Sequence, residues 1–286
     1  MLTAIGSATT SFTLKSAVAR GGALRSSVLF RTFAGLILFA MVAGSGVWHD
    51  PTPGYWRAVA MVLPPEAAGM VCMSLALRRG DLSRVQPIFG LLPVFVMLGG
   101  VLVLHEVPTP TACAGIALVT IGVYCVGLLP GGAVLAPLVA LGRDSSSRYA
   151  VAATLFWSLT TVLHKFGIAE VGPLMWGATV ALGSGIVLAF GLPFVARVSN
   201  PEAQPFDVRR WLILSGVAGI CFAVQQIGLQ LALLATQAGY VMAVSAISTL
   251  MGAALGVFAL GESGGRTRIL GALLVTCGAA LVALGG

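Results

Sequence analysis

Long apolar runs, separated by short polar or basic segments, fill most of this chain. A membrane-spanning helix needs about 20 apolar residues, and nine segments have this character. They lie at about residues 27–46, 57–77, 85–105, 110–129, 150–168, 174–195, 211–234, 238–260 and 268–285. A tenth segment at 1–19 is weaker, because Lys15 interrupts it. The pattern predicts an all-α polytopic membrane protein with ten transmembrane helices, the first short or truncated.

The apolar pattern occurs twice. Gly100–Val123 reads GVLVLHEVPTPTACAGIALVTIGV, and residues 256–279 read GVFALGESGGRTRILGALLVTCGA. A shift of 156 residues aligns 75–130 with 231–286 without a gap. A shift of 150 places 1–19 on the span at 150–168, so we interpret 1–19 as a shortened first helix. The alternative is an amphipathic arm lying on the membrane.

Each repeat then has five spans. Because five is odd, the second repeat is predicted to be inverted relative to the first, as in many transporters. We expect the first repeat at 1–130, a Gly/Pro/Ser-rich linker at 131–148 and the second repeat at 149–286. The glutamates Glu106 and Glu262 end equivalent helices on opposite faces of a ~30 Å hydrocarbon core, so they are not expected to form a catalytic pair. Thr109 and Pro110 are predicted to cap the helix after Glu106.

Composition and charge agree with membrane insertion. The chain of 286 residues is 58% hydrophobic and 9% charged, whereas a soluble domain carries about 25% charged residues. Its net charge of +7 comes from basic residues in short loops, which is typical of cytoplasmic loops and not of nucleic-acid binding. Only Arg57 and Lys165 fall near the opposite face, and Arg31 is expected to anchor its span at the interface. The prediction is a multi-pass inner-membrane protein with both termini outside if the first segment spans.

The sequence offers little for enzymatic chemistry. Its five cysteines stand singly in apolar runs, its three histidines are scattered, and it contains no CxxC, HExxH, GxSxG or P-loop pattern. A membrane-embedded enzyme needs clustered His, Asp or Glu at one depth. We therefore expect no catalytic residues, no metal site, no cofactor and no enzymatic activity.

The strongest polar signal inside a span is Leu-Pro-Pro-Glu at 63–66. Glu66 lies near the predicted midplane, where a charge costs about 2.5–3.5 kcal/mol on insertion scales and usually faces a cavity. Pro64 and Pro65 remove consecutive backbone donors and are predicted to kink or break the helix there. Broken helices beside ionisable groups form transporter sites, so Glu66 is predicted to bind substrate or couple a proton. The alternative is a protonated glutamate bonded to a neighbouring helix.

Further candidates follow from the repeat. Glu66 aligns with Phe222, and Gln225 and Gln226 lie one turn further along that helix. Across the expected pseudo-twofold axis, these amides are predicted to line a cavity opposite Glu66. The alternative is that they link helices through polar contacts. Tyr240 is either a gate residue or an interfacial aromatic.

Trp157 shares approximately one helix face with His164 and Lys165, since these two residues follow it by seven and eight positions. One interpretation is an aromatic and cationic wall for an anionic or zwitterionic substrate. In the other, Lys165 snorkels to the interface and Trp157 packs. Lys15, the repeat counterpart of Lys165, has the same two interpretations.

The two halves resemble a known family. In each, an apolar helix is followed by a glutamate and a G-x-x-L-V-T-x-G helix, which is similar to the EamA-type proteins of the drug/metabolite transporter superfamily. The resemblance rests on 83–106 with Gly115–Val123, and on 238–262 with Gly271–Ala279. It implies a ten-helix transporter of small metabolites, amino acids or drugs that works by alternating access. The chain departs from the pattern at its short first helix and at Leu-Pro-Pro-Glu.

The expected function is therefore secondary active transport, with export as the expected direction and proton coupling through Glu66. The expected partners are a small-molecule substrate and the lipid bilayer, with monomer and homodimer both open. A flippase-like or accessory membrane subunit of the same fold is the alternative.

Overall fold

All secondary structure in the described part of the chain is helical. The computed structural model describes residues 23–79, 88, 91–127, 145–196, 208–246 and 266–285, and no strand occurs within these ranges. The helices are α1 (Ala23–Ser45), α2 (Pro53–Arg79), α3 (Leu92–Leu104), α4 (Pro110–Gly127), α5 (Ser145–Ala196), α6 (Val208–Ala235), α7 (Ala238–Ser245) and α8 (Arg266–Gly285). The predicted helix at 1–19, Lys15 and Glu262 lie outside the described residues.

Four helices, α1, α2, α5 and α6, have the length and apolar character needed to cross a membrane, judged over the described residues. Shorter apolar helices lie at Leu92–Leu104, Pro110–Cys125 and Leu273–Val282. These helices, together with the helical character of the described ranges, identify a polytopic membrane protein.

Helix α5 contains two predicted spans. It has 52 residues, which is about 78 Å at the usual rise of ~1.5 Å per residue and more than twice the hydrocarbon thickness. Gly172 divides it, with φ 73° and ψ 167°, a backbone conformation essentially restricted to glycine. The first and second arms of α5, before and after Gly172, correspond to the predicted spans 150–168 and 174–195 but have no loop between them.

The chain forms two compact units. Among the described residues, the first unit takes those of 68–162 and 235–286, and the second takes those of 2–67 and 163–234. The division falls inside α2, after Ala67, and inside α5, after Val162. Each unit thus draws on both predicted repeats, so the compact units and the sequence repeats are different divisions of the chain.

In the first unit, α4 and α8 pack closely through glycines. A Cβ on Gly115 would lie 2.7 Å from the carbonyl oxygen of Gly278, and a Cβ on Gly122 would lie 2.7 Å from that of Gly271. Side chains at these positions would separate the helices, whereas glycines let the backbones approach. The position number rises along α4 as that of its partner falls along α8, so the two helices are antiparallel.

The turn before α4 has the predicted cap. Thr109 Oγ1 accepts the backbone N–H of Ala112 at 3.2 Å, and Pro110 begins the helix. This is the arrangement of an N-cap threonine followed by proline at the first helical position. The prediction that Thr109 and Pro110 cap this helix is confirmed.

The second unit packs α1 against α6 and against the second arm of α5. A Cβ on Gly35 would lie 2.5 Å from the backbone nitrogen of Leu182, and a Cβ on Gly219 would lie 3.0 Å from the carbonyl oxygen of Phe30. These close approaches bring the helix faces together and bury the polar side chains that point between them.

Candidate functional site

Arg31 and Glu66 form a buried ion pair in the second unit. Arg31 Nη2, on α1, lies 2.9 Å from Glu66 Oε1, on α2, and the two side chains are 5% and 10% exposed. The expectation that Arg31 anchors its span at the interface is wrong. Its guanidinium is buried because the Glu66 carboxylate supplies the opposite charge that a buried cation requires.

Two other helices also contact Arg31. Its Nη1 donates a 2.7 Å hydrogen bond to Ser184 Oγ, on the second arm of α5. Its guanidinium carbon lies 5.0 Å from the centre of the Phe222 ring, on α6, which is a cation–π distance. Its Nε is buried and has no hydrogen-bond partner among the described residues. Phe222, the repeat counterpart of Glu66, thus covers the cation that Glu66 neutralises.

His164 is held by Trp176 across the turn of α5. Trp176 Nε1 donates to His164 Nδ1 at 3.1 Å, and the two side chains are 0% and 4% exposed respectively. An indole can only donate, so Nδ1 is the acceptor and the neutral ring carries its hydrogen on Nε2. His164 therefore does not form the cationic part of the predicted wall. It lies close enough to the ion pair to feel the charges of both Glu66 and Arg31.

The other two residues of that predicted wall belong to different units. Trp157 lies in the first unit, where a Cβ on Gly69 would come 2.8 Å from its Nε1. Gly69 thus leaves room for the indole, which is the packing arrangement given as the alternative for Trp157. Lys165 lies in the second unit and is partly exposed.

Helix α6 contributes a buried polar face. Gln226 and Gln230 are 3% and 0% exposed, whereas Gln225 is only partly buried. Phe222, Gln226 and Gln230 are four residues apart and so share one side of the helix, the side that meets Arg31. Gly177 lies close to this side of α6, since a Cβ there would lie 3.3 Å from Gln230 Cγ. Gln230 Oε1 and Nε2 are buried with no partner among the described residues.

The prolines before Glu66 do not break their helix. Helix α2 runs from Pro53 to Arg79 with Pro64 and Pro65 in its interior, so the helix is not broken there, and the predicted kink stays a prediction. Each proline still lacks the N–H that would bond to the carbonyl four residues earlier. Packing on both sides holds the segment helical, with Val62 and Ala67 buried around the two prolines.

Tyr240 takes part in a hydrogen-bonded connection between two segments of the first unit. Its side chain is 5% exposed, and its hydroxyl accepts the backbone N–H of Thr109 at 3.1 Å. Beside it, Glu106 Oε2 accepts the backbone N–H of Ala238 at 3.0 Å. These bonds fasten the start of α7 to the turn between α3 and α4, which accounts for both polar residues in structural terms.

The described site residues offer charge pairing and hydrogen bonding. They comprise a guanidinium, a carboxylate, an imidazole, an indole N–H, a hydroxyl and two amides. Within the described ranges, no three His, Cys, Asp or Glu side chains are grouped so as to hold a metal ion. Arg31, Ser184, Trp176 and Gln230 were not predicted from the sequence. Gln230 could have been predicted as a site residue, since it follows Gln226 by one turn on the same helix face.

Comparison with known proteins supports the membrane assignment. The profile of the EamA-like transporter family matches residues 1–128 and 146–284. A crystal structure, described only as that of a protein, has 18% sequence identity and a TM-score of 0.75, with 99% of this chain and 94% of the other covered. At that identity it shows a shared fold. A search of curated proteins found no significant match. Since the profile covers nearly the whole chain, this integral membrane protein belongs to the EamA-like transporter family.

Proposed function

We propose that the protein is a secondary active transporter of a small polar metabolite across the inner membrane, with Arg31 and Glu66 at its binding site. The observation that carries this proposal is their buried ion pair. Removing two charges from water costs several kcal/mol per ion, and well-packed apolar residues often serve stability equally well. An ion pair inside membrane-spanning helices is therefore better explained by a binding role than by stability alone.

Polar and aromatic side chains surround the ion pair. A bound solute could replace one of these side chains as the partner of Arg31 or Glu66. Ser184 and Phe222 contact Arg31, and His164 lies within range of both charges. Each group is supplied by a membrane-spanning helix of the second unit. Convergence of polar groups from several helices is typical of transporter sites.

Contacts between α4 and α8 support the inverted repeat. The 156-residue shift relates Gly115 to Gly271 and Gly122 to Gly278. Gly115 contacts Gly278 and Gly122 contacts Gly271, so each of the two α4 glycines contacts the repeat counterpart of the other α4 glycine. A twofold relation produces such reciprocal contacts. They favour two inverted repeats, at 1–130 and 149–286, which in this proposal hold five helices each and form the framework for alternating access.

Helix α2 has a feature that would let it bend during alternating access. Pro64 and Pro65 leave the carbonyls of Ala60 and Met61 without their usual helical partners. A helix with two missing bonds bends more easily than a regular one. In this proposal the prolines act as a flexure next to Glu66, not as a break.

The test is transport by purified protein in liposomes. The panel contains amino acids, small carboxylates, sugars and cationic drugs, measured in both directions at several pH values. We expect at least one class to be transported and Glu66→Gln to change its rate or pH dependence. Asp50→Asn, which removes an exposed carboxylate, is the matched control and should behave as the wild type.

Two outcomes would overturn the proposal. One is that no solute in the panel moves faster than in protein-free liposomes. The other is that Glu66→Gln matches the wild type for every transported solute at every pH. Flipping of a fluorescent lipid by the same liposomes, without solute transport, would favour the flippase-like alternative.

A further inference from the structure

Glu66 contacts the Arg31 guanidinium through one nitrogen, Nη2. In a guanidinium, the N–H of Nε and one N–H of Nη2 point to the same side, and together they fit both oxygens of a carboxylate. Glu66 Oε1 lies 2.9 Å from Nη2. Nε, however, is buried with no partner among the described residues. Half of the edge is thus left for another acceptor.

Two other parts of the guanidinium already have contacts. Nη1 donates to Ser184 Oγ, and the ring of Phe222 covers one face. An incoming carboxylate can bind at the edge formed by Nε and Nη2, because Nε has no partner among the described residues. A carboxylate that takes both nitrogens then lies directly against Glu66 at Nη2.

From this geometry we infer that the substrate is a small organic anion whose carboxylate binds the Nε and Nη2 edge of Arg31, and that it crosses together with one proton carried by Glu66. The inference rests on the proposed function and specifies the substrate class of that same site. Arg31 remains charged throughout, so while buried it needs one anionic partner. Glu66 is that partner in the empty site, and the substrate replaces it in the loaded site.

Charge balance at the site requires that one proton bind together with the substrate carboxylate. Two carboxylates beside one buried guanidinium would leave a net negative charge, and close carboxylates resist simultaneous ionisation. On loading, hydronium gives a proton to a Glu66 oxygen and becomes water, the ionic contact with Nη2 ends, and the substrate carboxylate accepts from Nε and Nη2. On release each step reverses. The site is neutral when empty and when loaded, so one proton and one monoanion move together in the same direction.

Glu66 is the carboxylate in contact with Arg31 and is therefore the group proposed to carry the proton. Arg31 from α1 and His164 from the first arm of α5 both lie near it. His164 uses the lone pair of Nδ1 to accept the Trp176 N–H. The second arm of α5 presents the neutral Ser184 and α6 presents the neutral Phe222 to Arg31.

Binding of defined anions tests the inference. The probes are lactate, benzoate and gluconate, compared with lactamide, benzamide and tetraphenylphosphonium, on protein in lipid nanodiscs. We expect at least one carboxylate to bind more tightly than its amide. In the range where Glu66 is ionised, its affinity should rise about tenfold for each unit that the pH falls, because one proton is taken up with each anion.

Variants of Glu66 and Arg31 test the roles of the two residues separately. Glu66→Gln mimics the neutral glutamate, so carboxylate binding should stay tight and lose its pH dependence. The same carboxylates should raise the unfolding temperature of this variant, since they supply the missing partner of Arg31. Arg31→Gln combined with Glu66→Gln removes both charges and should abolish carboxylate binding while leaving a folded protein.

The inference is overturned if the carboxylates do not bind to folded wild-type protein, if their binding does not depend on pH, or if Glu66→Gln binds them more weakly. Transport limited to cationic or neutral solutes would also overturn it, while leaving the proposed transport function intact. Failure of all transport would instead contradict the proposed function.

Discussion

Arg31 Nη2 lies 2.9 Å from Glu66 Oε1, so two charges from different helices neutralise each other inside the second unit. Removing one charge leaves the other buried and unpaired, which typically costs about 3–5 kcal/mol. We expect Arg31→Met and Glu66→Leu each to lower the free energy of unfolding by about that amount. The double variant should lose much less. Denaturant unfolding in detergent measures all three, and additive losses would show that the pair is not energetically coupled.

Gly115 and Gly216 offer a matched test of helix packing. Alanine at Gly115 would place a Cβ 2.7 Å from the Gly278 carbonyl oxygen, whereas alanine at Gly216 would meet nothing within 4 Å. We expect Gly115→Ala to lower the unfolding free energy by about 1–3 kcal/mol, as overpacking does. Gly216→Ala should leave it unchanged or raise it by up to about 1 kcal/mol, because alanine favours a helix over glycine. Equal unfolding temperatures for the two variants would contradict the close contact.

Pro64 and Pro65 can be tested against Pro53. Replacing either interior proline with alanine restores a backbone donor, and should stabilise α2 by up to about 3 kcal/mol. If the prolines serve as a flexure, the same variants should slow transport. Pro53→Ala is the control, because the first residue of α2 has no helical partner for its N–H in any case. Unfolding temperature and initial transport rate are the two measurements, and unchanged transport in the stabilised variants would exclude the flexure.

Gln230 should separate stability from function. Its amide is buried without a partner among the described residues, and such a group costs about 1–3 kcal/mol. Gln230→Leu should therefore raise the unfolding temperature. If the amide binds substrate, the variant should also weaken substrate affinity. Gln225→Leu, at a partly exposed position on the same helix, is the control and should have a smaller effect on both. A destabilised Gln230→Leu protein would show that the amide is a structural element.

The helix positions were largely predictable because hydrophobic length determines a span. The predicted spans 27–46, 57–77 and 211–234 end within four residues of α1, α2 and α6. The continuity of α2 through its prolines was not predictable, since packing outweighs the loss of two backbone bonds. The single-residue turn in α5 was also not foreseen, because Gly172 gives no sequence signal beyond its permissive backbone.

The candidate site was predictable only where a residue was unusual by itself. Glu66 attracted attention because a carboxylate within a span is rare. Arg31 did not, since an arginine near the predicted start of a span usually faces the interface. Its pairing with Glu66 depends on how α1 and α2 are rotated about their axes, and a single sequence does not contain that information. Trp176 was missed for the same reason.

The turn at Gly172 has a consequence for biosynthesis. Because one residue separates the two arms of α5, the ribosome delivers the second arm directly behind the first, without a loop that could be translocated by itself. The insertion machinery must therefore accept both arms as a single hairpin. A side chain at position 172 would oppose the turn and favour a continuous rod too long for the bilayer. Substitution there should reduce the amount of protein that reaches the membrane more than the activity of the molecules that do.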